Sequence, residues 1–280
     1  MKLYYRISDS SYKKEKLIGT NKEICLMNFV RCFNEIIFGK NGPPNDSWVP
    51  PIKIIADRCD RKTNKMLLET GLPVEITDLG NAGSLIYSIK SSISDCADDE
   101  VVYFCEDDYL HKMNSSQLIE EGIKRCDYLT LYDHPDKYTS DYNGGEFSKV
   151  IKTESTHWRY TISTCMTFAT KIKTLKEDID IWEKYTKENH PHDHQIFTDL
   201  NKEKNRRLAV CIPGSACHTD LEYSGRVGKV LIDSWAIEMM INQLMNDLKN
   251  KTIKENIELI CNNKNGWQKL VALDALYKSL

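Results

Sequence analysis

Glu106, Asp107 and Asp108 stand in a row directly after the apolar run Val101-Val102-Tyr103-Phe104-Cys105, and Tyr109 follows them. Such a run reads as a buried central strand. Three adjacent carboxylates at its carboxyl end repel one another and cost stability unless a cation neutralises them. A divalent ion held by one or two carboxylates and by substrate phosphates would do so. The plain alternative is a solvated acidic turn where the strand ends.

His190-Pro191-His192-Asp193-His194 packs three histidines and an aspartate into five residues. A zinc centre of the metallo-hydrolase kind wants His-x-His-x-Asp-His, and this chain has one residue too few between His192 and Asp193. A second reading makes Asp193 the N-cap of a following helix, with one carboxylate oxygen left to act as a base. A capping aspartate beside exposed histidines is the bland version. His218 follows the small-residue turn Pro213-Gly214-Ser215-Ala216, where the backbone can approach a ligand closely. It is a metal ligand or a surface histidine. Two further clusters, Asp133-His134 with Tyr138 and His157-Trp158 with Arg159 and Tyr160, offer rings for sugar faces and charges for hydroxyls, or are ordinary packed turns.

These groups need elements to hold them. Residues 3–7 read as a strand, and Thr20-Asn21-Lys22-Glu23 matches a capping box that opens a helix with apolar residues at Cys25, Leu26, Phe29, Val30, Phe33 and Ile37. A Gly/Pro-rich loop spans 39–51, and strands follow at 52–56, ending at Asp57, and at 74–76. Helical patterns cover 66–69, stopped by Gly71, and 81–93, before the apolar strand into Glu106. This alternation implies a mostly parallel sheet with helices on both faces, whose ligands bind at the carboxyl ends of the strands. Asp57 and the acidic triplet should therefore face one cleft. Beyond it come a helix at 115–124, a strand at 128–132, two or three strands within 147–169, helices at 171–187 and 194–201, and a strand at 208–212. From 230 onward the pattern is nearly all helical.

Across 280 residues the formal net charge is −3 with 28% charged residues, so no global basic field recruits nucleic acid. No stretch approaches the roughly 18 apolar residues of a membrane span. The first residues turn polar too quickly for a signal peptide or anchor. Ten cysteines without a CxxC pair read as reduced thiols rather than as a disulfide framework or a cysteine zinc site. A soluble, cytoplasmic chain is expected.

Taken in order, Asp57 at a strand end, Gly80-Asn81-Ala82-Gly83-Ser84 opening a helix, and Phe104-Cys105-Glu106-Asp107-Asp108-Tyr109-Leu110-His111 resemble the nucleotide-sugar half of GT-A glycosyltransferases. The strings around 127–138, His157-Trp158 and 163–169 are similar to a group of bacterial and viral members (a viral one would work in the host cytoplasm). The likeness covers roughly residues 1–235 and carries an EDDY spelling in place of the usual DxD motif.

The resemblance implies a GT-A fold, Rossmann-like, with a catalytic domain over 1–228 and a helical C-terminal segment over 229–280. A donor half would cover 1–112 and an acceptor half 113–228. It implies donor contacts from Arg6, Ser8, Asp57, Asn81, Ser84, Glu106, Asp107 and Asp108, with Asp57 accepting a hydrogen bond from the base. Mn2+ or Mg2+ would sit on Asp108 and His218, Asp193 would be the base of an inverting transfer, and Asp133, His134, His157 and Trp158 would meet a glycan acceptor. The donor implied is a UDP-sugar. Two rivals remain: a zinc hydrolase centred on His190, His192 and His194, and a carbohydrate-binding protein without turnover. Sugar-nucleotide pyrophosphorylases fit less well, because their glycine-rich loop straight after the first strand has no counterpart before Gly19.

Overall fold

The computed structural model describes residues 1–220 apart from 11–13, 18, 43–44, 46, 139–145 and 147. The helical segment expected over 229–280 lies outside the described residues. The strands are β1 (Lys2–Ser8), β2 (Ile52–Asp57), β3 (Val74–Thr77), β4 (Val101–Glu106), β5 (Tyr109–His111), β6 (Tyr128–Thr130), β7 (Val150–Lys152), β8 (His157–Thr161), β9 (Phe168–Lys171), β10 (Leu208–Ile212) and β11 (Ala216–His218). The helices are α1 (Lys22–Cys32), α2 (Asn34–Phe38), α3 (Arg61–Glu69), α4 (Gly80–Asp95), α5 (Ser115–Gly122), α6 (Ile172–Lys184) and α7 (Asp193–Lys204).

Nine strands form one sheet in the order β3-β2-β1-β4-β9-β6-β10-β8-β7. The pairings β3·β2, β2·β1, β1·β4 and β6·β10 are parallel, and only β9 and β8 run against the other seven strands. The mostly parallel α/β sheet read from the sequence is therefore present. The reversed β9 wedges between β4 and β6, so the first and second halves of the described chain share one continuous sheet.

Strand side chains alternate between two cores, as the pleat requires. Leu3, Tyr5 and Ile7 of β1 and Tyr103 and Cys105 of β4 pack with Leu26, Phe29, Leu67 and Ile119 from α1, α3 and α5. Tyr4, Val102 and Phe104 point the other way, onto Leu85, Ile89, Leu175, Trp182 and Phe197 from α4, α6 and α7. Burial on both faces is why β4 reads as an unbroken apolar run. Trp182 stacks on Phe168 at 4.9 Å and meets Phe197 edge-on at 5.8 Å, which fixes α6 and α7 against the sheet.

Local chemistry differs from the sequence expectations at two helix starts. The N-cap of α1 is Asn21, not Thr20: its side chain accepts from the Ile24 amide at 2.8 Å, while the Thr20 hydroxyl donates back to the Leu17 carbonyl at 2.6 Å. Asp193 is the first residue of α7 rather than its cap, a position that His192 takes. All nine described cysteines are free thiols. Among the described residues no helix is long and apolar enough to cross a membrane.

Gly122 ends α5 against the fully buried Trp158, and a Cβ there would lie 2.6 Å from its Cζ2. Gly122→Ala should therefore destabilise the protein by about 1–3 kcal/mol through overpacking, read as a lower thermal midpoint. An unchanged midpoint would mean that the indole shifts without strain.

Candidate active site

The carboxyl ends of β1, β2 and β4 lie side by side, with Ser8 paired to Asp57 and Arg6 to Glu106 in register. An open cleft of about 390 Å³ lies at this rim, lined among others by Asn81, Glu106, Asp108, Cys165, Asp193, His218 and Asp220. A larger hollow of about 690 Å³ runs along α3, but all its lining residues belong to that one helix and nothing converges on it.

Arg6 ties the rim together. Its buried guanidinium donates to Glu106 Oε1 at 2.7 Å, to the Asn81 carbonyl at 2.8 Å and to Ser84 Oγ at 3.1 Å. One side chain thus joins β1, the end of β4 and the first turn of α4. Its part is to hold Glu106, Asn81 and Ser84 in place. Asp57 is 1% exposed and outside the cleft lining. Its carboxylate accepts from Thr77 Oγ1 at 3.0 Å, from the Leu79 amide at 2.6 Å and from the Gly80 amide at 3.0 Å. Gly80 has φ +77°, a backbone conformation that costs a side-chain-bearing residue about 1 kcal/mol or more. This turn lets both amides reach Asp57 and caps α4, which has no side-chain cap of its own.

The triplet divides its work. Glu106 pairs with Arg6, and Asp107 Oδ2 accepts the Ser8 amide at 3.0 Å with Lys22 Nζ at 3.2 Å. Asp108 turns to the other side. There β11 pairs antiparallel with β5, setting His218 opposite Tyr109, and the Thr219 amide donates to the Asp108 carbonyl at 2.8 Å. His218 Nε2 comes to 3.4 Å from Asp108 Oδ2.

Asp220, which the sequence reading missed, completes a group: one donor atom each from Asp108, His218 and Asp220 lies within 4.8 Å of the others. The His-x-Asp spacing after a strand was the available signal. The set fits a divalent ion. It offers two carboxylates and one imidazole, suited to Mn2+ or Mg2+, and Asp108 Oδ1 is buried with no hydrogen-bond partner. Burial holds the His218 ring below its ordinary value near 6.5 despite Asp108 and Asp220, keeping it in the neutral form that ligates metals.

Asp193 lines the same cleft from the start of α7. Its Oδ1 accepts the next amide, His194, at 2.7 Å. Burial raises its pKa, against the pull of His194, His134 and Lys137, and a raised carboxylate is a stronger base. Beside it, the nearly buried Lys137 donates to Ser163 Oγ at 2.9 Å, and that hydroxyl lies 3.2 Å from His194 Nδ1.

The histidine cluster does not converge on a metal. His192 faces Glu188 at 3.4 Å, His194 meets Ser163, and only His190 of the three lines the cleft. The zinc-hydrolase expectation therefore has no ligand set among the described residues. Trp158 is also corrected: it is fully buried, with Nε1 donating to Thr153 Oγ1 at 3.0 Å, so it packs the core and cannot stack on a sugar. His157 is exposed but outside the cleft lining. Asp133 is spent on Arg159 at 2.8 Å and on the Tyr138 hydroxyl at 2.6 Å, which leaves His134 as the one proposed acceptor residue in the cleft.

No protein-family model matches the chain, and no curated protein matches it. Solved structures with a partly similar path include S. aureus TarS residues 1–349, at 15% identity over 100% of this chain and 72% of that one, TM-score 0.44. The inositol-1-phosphate CTP transferase from T. maritima gives 14% identity over 85% and 94%, TM-score 0.44. Mouse xyloside xylosyltransferase 1, apo form, gives 10% over 74% and 83%, TM-score 0.40.

Burial, then Asp108, Asp107 and Asp193, push the Glu106 carboxyl up to about 7 against the pull of Arg6. A pKa raised by folding gives stability that is full below the unfolded value near 4.5 and lost as pH climbs through about 7. In chelator, the thermal midpoint of Glu106→Gln should therefore gain on wild type between pH 5 and pH 8. A gap independent of pH would mean that Arg6 fully compensates the charge.

Proposed function

We propose that the chain is a metal-dependent glycosyltransferase that moves a sugar from a nucleotide sugar, a UDP-sugar by the resemblance, to a hydroxyl of a glycan acceptor. The observation that carries this is the meeting, in one cleft, of a cation-suited group on one side and a half-buried carboxylate with raised basicity on the other. Residues 1–112 would form the donor half and 113–228 the acceptor half.

In this reading Asp108, His218 and Asp220 hold Mn2+ or Mg2+. Such an ion, when bound, neutralises charge growing on the departing diphosphate. Asn81 and Ser84, fixed by Arg6 in the first turn of α4, lie where amide dipoles favour an anion. Ser8, Glu106 and Asp107 border the ribose and sugar hydroxyls. Asp57 shapes the turn from which the base is met. Asp193 takes the proton of the acceptor hydroxyl as its oxygen bonds to the anomeric carbon. The bond to the nucleotide diphosphate breaks with its electron pair on the leaving oxygen. Attack opposite the leaving group inverts the anomeric centre. His134 is placed to border the acceptor.

One observation favours nucleotidyl transfer instead: Lys14, Lys16 and Lys22, which follow the first strand, all reach the acids. The leaving group separates the two, nucleoside diphosphate for sugar transfer and pyrophosphate for nucleotidyl transfer. A carbohydrate-binding protein would release neither.

Asp193→Asn should keep donor affinity and lose ~10²–10⁴ in turnover, the usual worth of a positioned base. Near-normal transfer by that variant places the base elsewhere. Asp108→Ala should abolish the manganese-dependent part of UDP binding in calorimetry, at an unchanged fold by circular dichroism. Full manganese dependence in that variant overturns the assignment of the ligands.

A further inference from the structure

Lys16 sits where the cation would. Its Nζ lies 3.4 Å from Asp108 Oδ2 and in direct contact with Asp220 Oδ1, so one ammonium bridges two of the three groups in the candidate metal set. Lys14 adds a second charge 3.7 Å from Asp220 Oδ2. The placement is built into the main chain. Lys16 and Asp220 form an antiparallel bridge, the Leu17 amide donates to the Thr219 carbonyl at 2.7 Å, and the Thr219 amide donates to the Asp108 carbonyl at 2.8 Å. A backbone ladder thus delivers the lysine to the two carboxylates.

The imidazole is arranged the same way. His218 Nδ1 accepts from the Asp220 amide at 3.1 Å, which turns Nε2 toward Asp108 Oδ2 at 3.4 Å. Asp108 Oδ2 thus faces the Lys16 ammonium and His218 Nε2 at once. An ammonium and an ion satisfy these carboxylates by the same means, charge, and cannot share one point. With its side chain 35% exposed, Lys16 can swing into solvent or toward a phosphate when released.

We propose that Lys16 is the resident counter-cation of Asp108 and Asp220, and that a divalent ion binds by exchanging against it. Resting on the nucleotide-sugar reading of the cleft, the exchange has a second consequence. A diphosphate gives the freed ammonium a new partner, so ion and nucleotide bind cooperatively through Lys16, each raising the affinity of the other by the same factor.

The test is manganese binding followed by electron paramagnetic resonance, without donor or acceptor and then with UDP. Lys16→Met should bind Mn2+ alone roughly tenfold tighter than wild type, the scale of one partly screened charge at this range. Lys16→Arg should stay near wild type. UDP should tighten Mn2+ binding in wild type by a factor that shrinks in Lys16→Met. Acetylation of wild-type protein gives a reading that needs no variant: saturating Mn2+ should raise the labelling rate of Lys16 several-fold and leave Lys90, paired with Glu183, unchanged. Equal or weaker Mn2+ affinity in Lys16→Met, or Lys16 labelling that stays level or falls, overturns the exchange. The two readings fail separately. If UDP never binds while Mn2+ still frees Lys16, the nucleotide reading falls and the exchange stands. If UDP binds with Mn2+ and Lys16 is indifferent, the reverse holds.

Discussion

Mutual repulsion among the acids at the end of β4 is the constraint that organises this molecule. Glu106, Asp107 and Asp108 are each met by a different cation from a different direction: Arg6 from the neighbouring strand, Lys22 from the start of α1, and Lys16 from the segment between. Two unit charges 4 Å apart interact by about 4 kcal/mol at a protein surface. Leaving even one acid uncompensated would therefore cost a sizeable part of the net stability of a typical domain, about 5–15 kcal/mol. The compensation is incomplete. Glu106 and Asp107 both keep raised pKa values, up to about 7 and about 6, with burial as the first cause and neighbouring carboxylates adding to it.

The sheet supplies the geometry for this. Because β1, β2 and β4 are parallel neighbours, their carboxyl ends fall on one edge, and anything placed there from sequence-distant segments becomes adjacent. The short pair β5·β11 then folds the end of the described chain back onto the acids and carries His218 and Asp220 to Asp108. The reversed strand β9 makes the second half continuous with the first, so α7 can present Asp193 to the same cleft. Packing across both faces, with Phe29 and Tyr103 in one core and Phe168 and Trp182 in the other, holds the strands that form this rim.

Several residues that look functional in one dimension turn out to be structural. Trp158 has the type and neighbours of a sugar-stacking residue, yet its ring fills the space beside Gly122 in the core. The type of a residue carries no information about which face of its strand is covered, and α5 covers this one. Asp57 reads as a ligand-facing acid because it ends a strand, but three donors from the next turn claim it first. The three clustered histidines are close in sequence and divergent in space, since successive side chains at a helix start point in different directions.

What the chain determined on its own was everything encoded by short-range pattern. Apolar runs and alternation located most strands but not the three-residue β5 and β11, capping and breaking residues located most described helices to within a few positions, and the run into Glu106-Asp107-Asp108 marked the rim. Those signals are local, because burial on two faces and helix capping act over a handful of neighbours. Only the tertiary structure decided which charges meet. Lys16 and Asp220 are separated by most of the described chain and carry no mark of each other, and they touch because two backbone segments pair beside Asp108. A Coulomb contact depends on distance in space alone, and no spacing along a polymer records it.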